Sequence, residues 1–294
     1  MREVVPTMSP SMGATLYGYA VDSDLPLPRA RSGPGERGEI RVRATDAPLL
    51  DRRGRLVRYD PDIWALARTE GGLLIWCPGT GSYHADVAAG VIEVCPDERN
   101  EGLLEHRLTC LVVPLMLAER GDLALHAAVL ARDGRGVAFC GASMRGKSTL
   151  AAELGSRGYA LLGDDSAVLS LDGDDGLIVW PGPSGSRLRR PGERILRDLV
   201  HAENGHEETA PVRLVAAVEL LERGGDAIEV ERLEPVAAAT SLYAYAPQAD
   251  GPAVARTFAM TARLAERVPV FRARMPDDLP RAGEHAEALF SAVT

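Results

Sequence analysis

Eight residues in the middle of the chain fit the pattern G-x-x-x-x-G-K-[ST] in full, and they read Gly141-Ala142-Ser143-Met144-Arg145-Gly146-Lys147-Ser148. An apolar, strand-like run (residues 137–140) precedes them, and a stretch with helical spacing (residues 147–157) follows. Backbone N–H groups of such a loop, helped by the positive end of the helix dipole, bind phosphate oxygens. The pattern therefore predicts ATP and Mg²⁺ as cofactors, with Lys147 at the β- and γ-phosphates and the Ser148 hydroxyl on the ion. The predicted nucleotide-binding residues are Gly141, Ala142, Ser143, Met144, Arg145, Gly146, Lys147, Ser148 and Thr149.

Lys147 is also unusual in the composition of the chain. The 33 basic residues comprise 32 arginines and this one lysine. Lysine carries a compact point charge that a planar guanidinium cannot replace in a tight cavity. Codon bias with one surviving lysine would explain the count alone, but the position inside the glycine-rich pattern favours a functional and catalytic Lys147.

An acidic pair, Asp164-Asp165, directly follows a second apolar run at residues 159–162. Parallel strands of one sheet present their carboxyl ends on the same edge, so we expect this pair to face the glycine-rich loop. One carboxylate could hold Mg²⁺ and the other accept a proton from an attacking hydroxyl. Adjacent acidic residues more often form a solvated turn, for which Asp174-Asp175 is the example here, but the strand end favours a site.

His126 is the third candidate, in an apolar stretch (residues 123–131) that the sequence predicts to be one strand. A lone histidine in such a strand is more often a core residue with its hydrogen bonds satisfied. Its position 15 residues before Gly141 leaves a catalytic or supporting role open.

Together these elements resemble the HPr kinase/phosphorylase family, whose catalytic domain shares a structural class with phosphoenolpyruvate carboxykinase. The matching segments are residues 125–129 around the histidine, the loop at residues 141–149, the helix end Arg157-Gly158 and the pair Asp164-Asp165. Weaker likeness near both ends extends to smaller HPr-kinase-like proteins, some of them encoded beside peptide-tailoring genes such as those for lasso peptides.

The resemblance implies a role for each site residue. Asp164 would be the general base toward a serine hydroxyl, Asp165 and Ser148 would bind Mg²⁺, and His126 would assist Asp164. Met144 departs from the family, which usually has glycine there, so its side chain is expected to narrow the phosphate pocket or contact the substrate. The carboxyl-terminal signature of the enzymes that act on HPr is missing, so the resemblance does not extend to HPr as the substrate.

Composition excludes several classes of protein. The chain has 294 residues, a net charge of −9 and a pI near 5.3, which argue against a general nucleic-acid binder. No apolar run approaches the ~20 residues that span a bilayer, and residues 1–12 lack the apolar core of a signal peptide. Four scattered cysteines suit a reducing compartment. We therefore expect a cytoplasmic protein without nucleic-acid or membrane partners.

The pattern divides the chain into two predicted domains, which are residues 1–100 and residues 101–294. Short strands and turns make the first mainly β, with strands expected at residues 16–21, 39–43, 73–77 and 91–94. Helical spacing at residues 101–120, kinked by Pro114, opens the second. The expected fold class is α/β, a P-loop kinase domain of the HPr kinase/phosphoenolpyruvate carboxykinase type.

The sequence thus predicts an ATP-dependent kinase that phosphorylates a serine hydroxyl on a peptide or small protein. Two alternatives remain open, a small-molecule P-loop kinase such as an adenylylsulfate kinase and a non-catalytic nucleotide-binding module. An arginine-rich stretch is predicted to clamp phosphates or an acidic substrate, with a solvated basic surface as the alternative. Its members are Arg187, Arg189, Arg190, Arg194 and Arg197. The oligomeric state stays open, and a homo-oligomer is compatible with the sequence.

Overall fold

The computed structural model describes residues 13–60, 64–97, 101–172, 176–187, 199–200, 208–247, 250 and 252–294. Within these ranges the chain is a mixed α/β protein with two large sheets. This confirms the expected class at the coarse level. No helix in the described ranges is long and apolar enough to cross a membrane.

The amino-terminal sheet contains nine strands among the described residues, in the order β3-β1-β2-β4-β9-β8-β7-β6-β5. They are β1 Ala14–Leu16, β2 Tyr19–Ser23, β3 Arg31–Ser32, β4 Glu39–Ala44, β5 Arg55–Asp60, β6 Trp64–Arg68, β7 Gly72–Cys77, β8 Gly81–Asp86 and β9 Val91–Pro96. The mainly β character of this region is as predicted. The strand expected at residues 16–21 is instead a hairpin, because Tyr17 and Gly18 adopt positive φ angles of 53° and 80° and turn the chain.

A bent helical stretch follows this sheet. It consists of α1 (Glu101–Arg107), a π-helical turn (Leu108–Val112) and α2 (Val113–Glu119). Pro114 lacks the N–H that a continuous α-helix would use here, and the wider π turn comes directly before it. The apolar side chains of this stretch pack into the core of the amino-terminal sheet, although the sequence assigned residues from 101 onward to the second domain.

The second sheet carries the glycine-rich loop. Its strands are β10 Leu123–Leu125, β11 Ala127–Arg132, β12 Arg135–Cys140, β13 Ala160–Gly163, β14 Ala167–Asp172, β15 Gly176–Trp180, β18 Val212–Leu220, β19 Glu229–Arg232 and β20 Val270–Arg274; β16 Ser186–Arg187 and β17 Leu199–Val200 form a separate short pair. The helices are α3 Lys147–Ser156, α4 Pro235–Ala244, α5 Pro252–Arg267 and α6 Ala282–Val293. The alanine-rich α4 is a helix that the sequence analysis did not predict.

Helices cover both faces of this sheet because its strands are apolar on both sides. Alternate residues of β11 and β12 pack on one face against α4 and α5, and on the other against α3 and α6. Strand β12 pairs antiparallel with β11, and β11 pairs antiparallel with β13. Strands β12 and β13 therefore run in the same direction, so the expectation that their carboxyl ends share one edge is confirmed.

The stretch expected as one strand at residues 123–131 is broken at His126. On one side of the break β10 pairs with β14, and on the other β11 pairs with β13. The registers Leu125↔Ala167 and Val129↔Gly163 show that both pairs belong to one long antiparallel ladder that is interrupted in the middle. We name residues 126–128 and 164–166 the ladder gap. His126, Asp164 and Asp165 all lie in it.

One buried and one partly buried arginine join the amino-terminal sheet to the second sheet. Arg31 donates hydrogen bonds from Nε to the carbonyl oxygen of Gly182 (2.8 Å) and from Nη2 to that of Leu161 (2.6 Å). Arg37 binds both carboxylate oxygens of Asp122, at 2.6 and 2.8 Å. The two sheets are thus fastened by polar contacts as well as by packing.

Candidate active site

The loop at residues 141–146 connects β12 to α3 in the order that the sequence predicted. Gly146 caps the amino terminus of α3 with a φ of +92°, a left-handed conformation that glycine adopts without cost. Met144 also has a positive φ (67°), and its side chain is 73% exposed. Met144 therefore points away from the protein and does not fill the loop.

Lys147 lies against the loop that precedes it. Its ammonium Nζ donates hydrogen bonds to the carbonyl oxygens of Gly141 (2.8 Å) and Ala142 (3.2 Å), and the residue is only 5% exposed. Burial lowers the pKa of Lys147, while the carboxylates of Asp165 and Asp164 oppose that shift. The lone lysine therefore lies against the inner side of the loop, hydrogen-bonded to two of its carbonyl oxygens.

Ser148, in the first turn of α3, reaches the acidic pair. Its hydroxyl Oγ donates to Asp164 Oδ1 at 3.3 Å, and the backbone N–H of Asp165 donates to the same oxygen at 3.0 Å. Asp164 is almost fully buried, with 1% of its surface exposed. The hydroxyl that the sequence assigned to Mg²⁺ thus contacts Asp164, whereas the Asp165 carboxylate faces His106.

Asp165 is fixed at several points. Its Oδ2 lies 3.3 Å from His106 Nε2, its carbonyl oxygen accepts a hydrogen bond from His126 Nδ1 at 2.9 Å, and its φ is +69°. Burial raises the pKa of Asp165, but the hydrogen bond from His106 and the positive charges of His106 and Lys147 outweigh burial and hold the pKa at about 2. Asp165 is therefore ionised at neutral pH, as a metal ligand must be.

His126 lies in the ladder gap. Because Nδ1 faces a carbonyl oxygen, that nitrogen carries the proton and Nε2 carries the lone pair. Burial and the nearby charge of Lys147 lower the pKa of His126, so the ring is neutral at pH 7. His126 thus contacts the backbone carbonyl of Asp165, whereas the resemblance implied that it would assist Asp164. That role stays a prediction.

Two buried residues of this site, His106 and Arg29, were missed by the sequence analysis. His106, on α1, is 6% exposed, and Arg29, from the connection between β2 and β3, is 1% exposed. Arg29 Nη1 lies 3.3 Å from His106 Nδ1. Neither residue stands in a motif, and both reach the site through tertiary packing of distant segments.

Arginines form one rim of the loop. Arg145 pairs with Glu222 at 3.0 Å. A Cβ atom added to Gly146 would lie 3.0 Å from Nη2 of Arg223, which places that guanidinium directly beside the start of α3. Arg223 follows β18 and was not a sequence candidate. Of the predicted arginine-rich stretch, the structure describes only the backbone of Arg187; the other four arginines lie outside the described residues.

The oxygen donors present fit Mg²⁺. This ion is usually held by one or two carboxylates, waters and substrate phosphates, not by a complete protein cage. Accordingly, Ser148, Asp164 and Asp165 provide a hydroxyl and two carboxylates near the loop. Across the described ranges no group of three or more His, Cys, Asp or Glu side chains has the arrangement of a metal site by itself.

The structure therefore brings Lys147, Ser148, Asp164, Asp165 and His126 together at one edge of the second sheet, as the spacing predicted. Ala142 and Ser143 are exposed on the outer side of the loop, and Thr149 is half-buried in α3. The roles predicted for individual residues stay predictions.

A mixed α/β protein with a glycine-rich strand–loop–helix unit facing an acidic pair is the class that the fold and the site define. The chain belongs to the ScmC family, because the family model described as "SynChlorMet cassette protein ScmC" matches residues 93–276, more than half of the chain. The match spans the loop, the ladder gap and α1 with His106.

Comparison with solved structures finds similarity to the Hpr(Ser) kinase/phosphatase from Coxiella burnetii, at 17% identity, over 57% of this chain and 96% of that chain, with a TM-score of 0.34. No curated protein matches the chain. A TM-score of this size does not by itself establish a shared fold, so the functional argument rests on the site residues.

Proposed function

We propose that this protein is an Mg²⁺-dependent ATP phosphotransferase that phosphorylates a serine hydroxyl of a peptide or small protein. One observation carries the proposal. The lone lysine, the Ser148 hydroxyl and the acidic pair converge where the glycine-rich loop meets the ladder gap.

The loop supplies the phosphate-binding groups. Backbone N–H groups at the start of α3 point toward the loop, where the helix dipole favours negative charge. Among the described residues, Lys147 Nζ donates to two carbonyl oxygens, and it can exchange these neutral acceptors for phosphate oxygens. Such an exchange gains a charge-assisted hydrogen bond, which is about twice as strong as a neutral one.

The acidic pair supplies an ion ligand and a proton acceptor. Bound MgATP would provide the transferable phosphoryl group and a cation that neutralises its charge. Asp165, ionised and fixed in orientation, fits the ligand role together with Ser148. Asp164 lies beside Ser148 and fits the role of orienting the substrate hydroxyl and accepting its proton, with His126 stabilising the gap through the Asp165 carbonyl.

The class of substrate follows from the family resemblance and from the extra protein mass beside the site. A small-molecule kinase needs neither the amino-terminal sheet nor the histidines at the gap. Arg29 and Arg31 place part of that sheet next to the site. We propose that this part of the sheet docks the peptide or small protein. We place the reaction in the cytoplasm.

Lys147→Ala tests the loop assignment. Removing the only lysine deletes a charged hydrogen bond worth about 1.5–3 kcal/mol, so MgATP affinity should fall by about 10–100-fold and phosphoryl transfer should disappear. Calorimetry with MgATP measures the first effect. Transfer of labelled phosphate to serine-containing peptides encoded beside the gene measures the second.

Lys147→Arg serves as the matched variant, because it keeps the charge but not the compact shape. Compared with Lys147→Ala, this variant should recover at most part of the MgATP affinity. Unchanged MgATP affinity in Lys147→Ala would contradict the loop assignment. Label appearing on a small metabolite instead of a peptide would favour the small-molecule kinase, and tight MgATP binding without transfer would favour the binding module.

A further inference from the structure

Arg29 is the most deeply buried arginine beside the candidate site, and its guanidinium is held on several sides. Nε donates to the carbonyl oxygen of Ser184 at 2.8 Å, and Nη2 donates to that of Gly185 at 3.0 Å. Its backbone N–H also donates to Glu105 Oε1 at 2.8 Å. These contacts leave Nη1 directed at His106 Nδ1, 3.3 Å away.

The contact between Arg29 and His106 determines where the imidazole carries its proton. A guanidinium can only donate, so in the neutral imidazole Nδ1 presents its lone pair and the proton lies on Nε2. Nε2 in turn lies 3.3 Å from Asp165 Oδ2. Burial lowers the pKa of His106, but the neighbouring Cys110 and Asp165 raise it to about 9. In both protonation states Nε2 carries a proton and donates to Asp165.

Asp165 needs such support. A non-glycine residue at a φ of +69° carries backbone strain and keeps this conformation only where several contacts fix it. His126 fixes the Asp165 carbonyl, and the Asp165 N–H is bound to Asp164. His106 is the group that fixes the carboxylate itself.

We propose that Arg29 and His106 are positioning residues which hold the Asp165 carboxylate in its ion-binding orientation, so that a segment of the amino-terminal sheet completes the phosphotransferase site. The proposal rests on the proposed function. Arg29 selects the imidazole tautomer, His106 transmits that choice to Asp165, and neither touches the nucleotide. Hydrogen-bonded partners of metal ligands typically change metal affinity or activity by about 10–100-fold when they are removed.

The first experiment compares His106→Leu with His106→Gln. Leucine removes the donor to Asp165, whereas the glutamine amide nitrogen can reach the Nε2 position. We expect the Mg²⁺ concentration for half-maximal binding of a non-hydrolysable ATP analogue to rise about 10–100-fold in His106→Leu and to stay near the native value in His106→Gln. Calorimetry across a magnesium titration measures both.

His84 provides the matched control. It is 7% exposed, and its Nδ1 contacts a guanidinium nitrogen of Arg52 at 2.7 Å, but it lies in β8 of the amino-terminal sheet. His84→Leu therefore makes the same change in a similar environment away from the acidic pair. It should lower thermal stability without altering the magnesium dependence.

The second experiment needs no nucleotide. Long-range proton–nitrogen NMR of ¹⁵N-histidine-labelled protein, recorded above the His106 pKa of about 9, should show the neutral ring with its proton on Nε2. Arg29→Lys, whose shorter and differently shaped head cannot keep all three contacts, should change that signal. Arg31→Lys is the control, because Arg31 is 3% exposed and donates to the Gly182, Leu161 and Leu162 carbonyl oxygens.

The proposal and the proposed function can fail separately. A folded His106→Leu variant with native magnesium dependence, or a neutral His106 ring with its proton on Nδ1, would overturn the positioning role. Native protein that binds no MgATP would instead overturn the proposed function. The contact between His106 and Asp165 would then have no ion-binding role. The NMR measurement would still decide whether Arg29 sets the tautomer of His106.

Discussion

Asp164 and Asp165 are chemically identical neighbours in different surroundings. Asp164 accepts hydrogen bonds from Ser148 and from a backbone N–H, whereas the carboxylate of Asp165 is bound by His106 and stays ionised with a pKa of about 2. A carboxylate with so low a pKa binds a cation well and accepts a proton poorly. The two residues should therefore fail differently when their charge is removed.

Substitution by asparagine tests this division. Asp164→Asn keeps the shape but cannot accept the hydroxyl proton, so turnover should fall by about 10²–10⁴-fold with MgATP affinity largely retained. Asp165→Asn removes a charge from the ion site, so MgATP affinity and magnesium dependence should deteriorate together. Binding and turnover across a magnesium titration measure both variants.

The reverse pattern would exchange the two roles. If Asp164→Asn loses Mg²⁺ binding and Asp165→Asn loses only turnover, Asp164 is the Mg²⁺ ligand. The contact between Asp164 and Ser148 is compatible with that role as well. Native turnover in both variants would remove the kinase proposal.

Helix α3 begins and ends beside glycines with left-handed backbone, Gly146 (φ +92°) and Gly158 (φ +85°). Alanine at either position should cost about 1–2 kcal/mol of stability, because a Cβ disfavours that conformation. Only Gly146 faces the loop and Arg223; a Cβ on Gly158 would have nothing within 4 Å. Gly146→Ala should therefore also lose MgATP affinity, and Gly158→Ala should not.

Urea denaturation and calorimetry on the two variants separate strain from function. We expect both variants to lose the same amount of stability and only Gly146→Ala to lose MgATP affinity. Equal MgATP affinity in both variants would show that the backbone at the start of α3 is not a phosphate-binding element.

Glu219 ties β18 to two neighbouring elements. Its Oε2 accepts from Arg272 Nε of β20 at 2.8 Å, and its Oε1 accepts from the Tyr245 hydroxyl after α4 at 3.0 Å. Burial raises the pKa of Glu219, but these hydrogen bonds outweigh it and lower the pKa below its usual 4.5. The carboxylate therefore stabilises the fold above that value and loses its contribution as the pH falls through the folded-state pKa.

Glu219→Gln should destabilise the protein by about 1–3 kcal/mol at pH 7, since it removes a charged hydrogen bond, and by less near pH 4. Urea denaturation between pH 4 and 7 measures the difference from the native chain. Glu70→Gln, an exposed change between β6 and β7, is the control and should leave the profile unchanged. A Glu219→Gln difference that does not depend on pH would contradict the assigned ionisation.

At the level of elements, the sequence predicted what local pattern controls. The loop and α3 were predictable because glycine placement and apolar spacing act over a few residues. The break at His126 was not, because residues 123–131 are uniformly apolar around it and only pairing with β14 and β13 separates the two halves. Helix α4 was missed because its alanine-rich sequence carries little contrast between faces.

For the whole molecule, the helical stretch after residue 100 has its apolar side chains in the amino-terminal core. Leu104, Leu108, Val112 and Leu115 are all less than 8% exposed there. A fragment of residues 101–294 would expose them to water at about 1.5–3 kcal/mol each and would lose the Arg29 and Arg31 contacts. It should show no cooperative thermal transition by circular dichroism.

Adding residues 1–100 in trans is the control, and it should recover part of the transition. A fragment 101–294 that melts sharply near the midpoint of the full chain and binds MgATP would contradict this prediction. It would also support the domain boundary that the sequence placed at residue 100.

The site itself was predictable only where its residues share a motif or a strand end. Lys147, Ser148 and the acidic pair belong to one continuous strand–loop–helix–strand unit, so their spacing carried the information. Arg29 and His106 lie 77 residues apart in sequence, and the contact between them depends on how the amino-terminal sheet packs. No local pattern marks an arginine whose partners are backbone carbonyls and a distant imidazole.

The ladder gap restricts how this protein can change in length during evolution. Three residues separate Leu125 from Val129, and three separate Gly163 from Ala167, so the two pairs that flank the gap share one register, which shifts only beyond Val129. An insertion or deletion in one three-residue span would move every side chain of the adjoining strand to the opposite face unless the facing span compensated. A relative that keeps the pairing on both sides of the gap must therefore change the lengths of the two spans together. The lengths of the spans are thus more tightly constrained than their sequences.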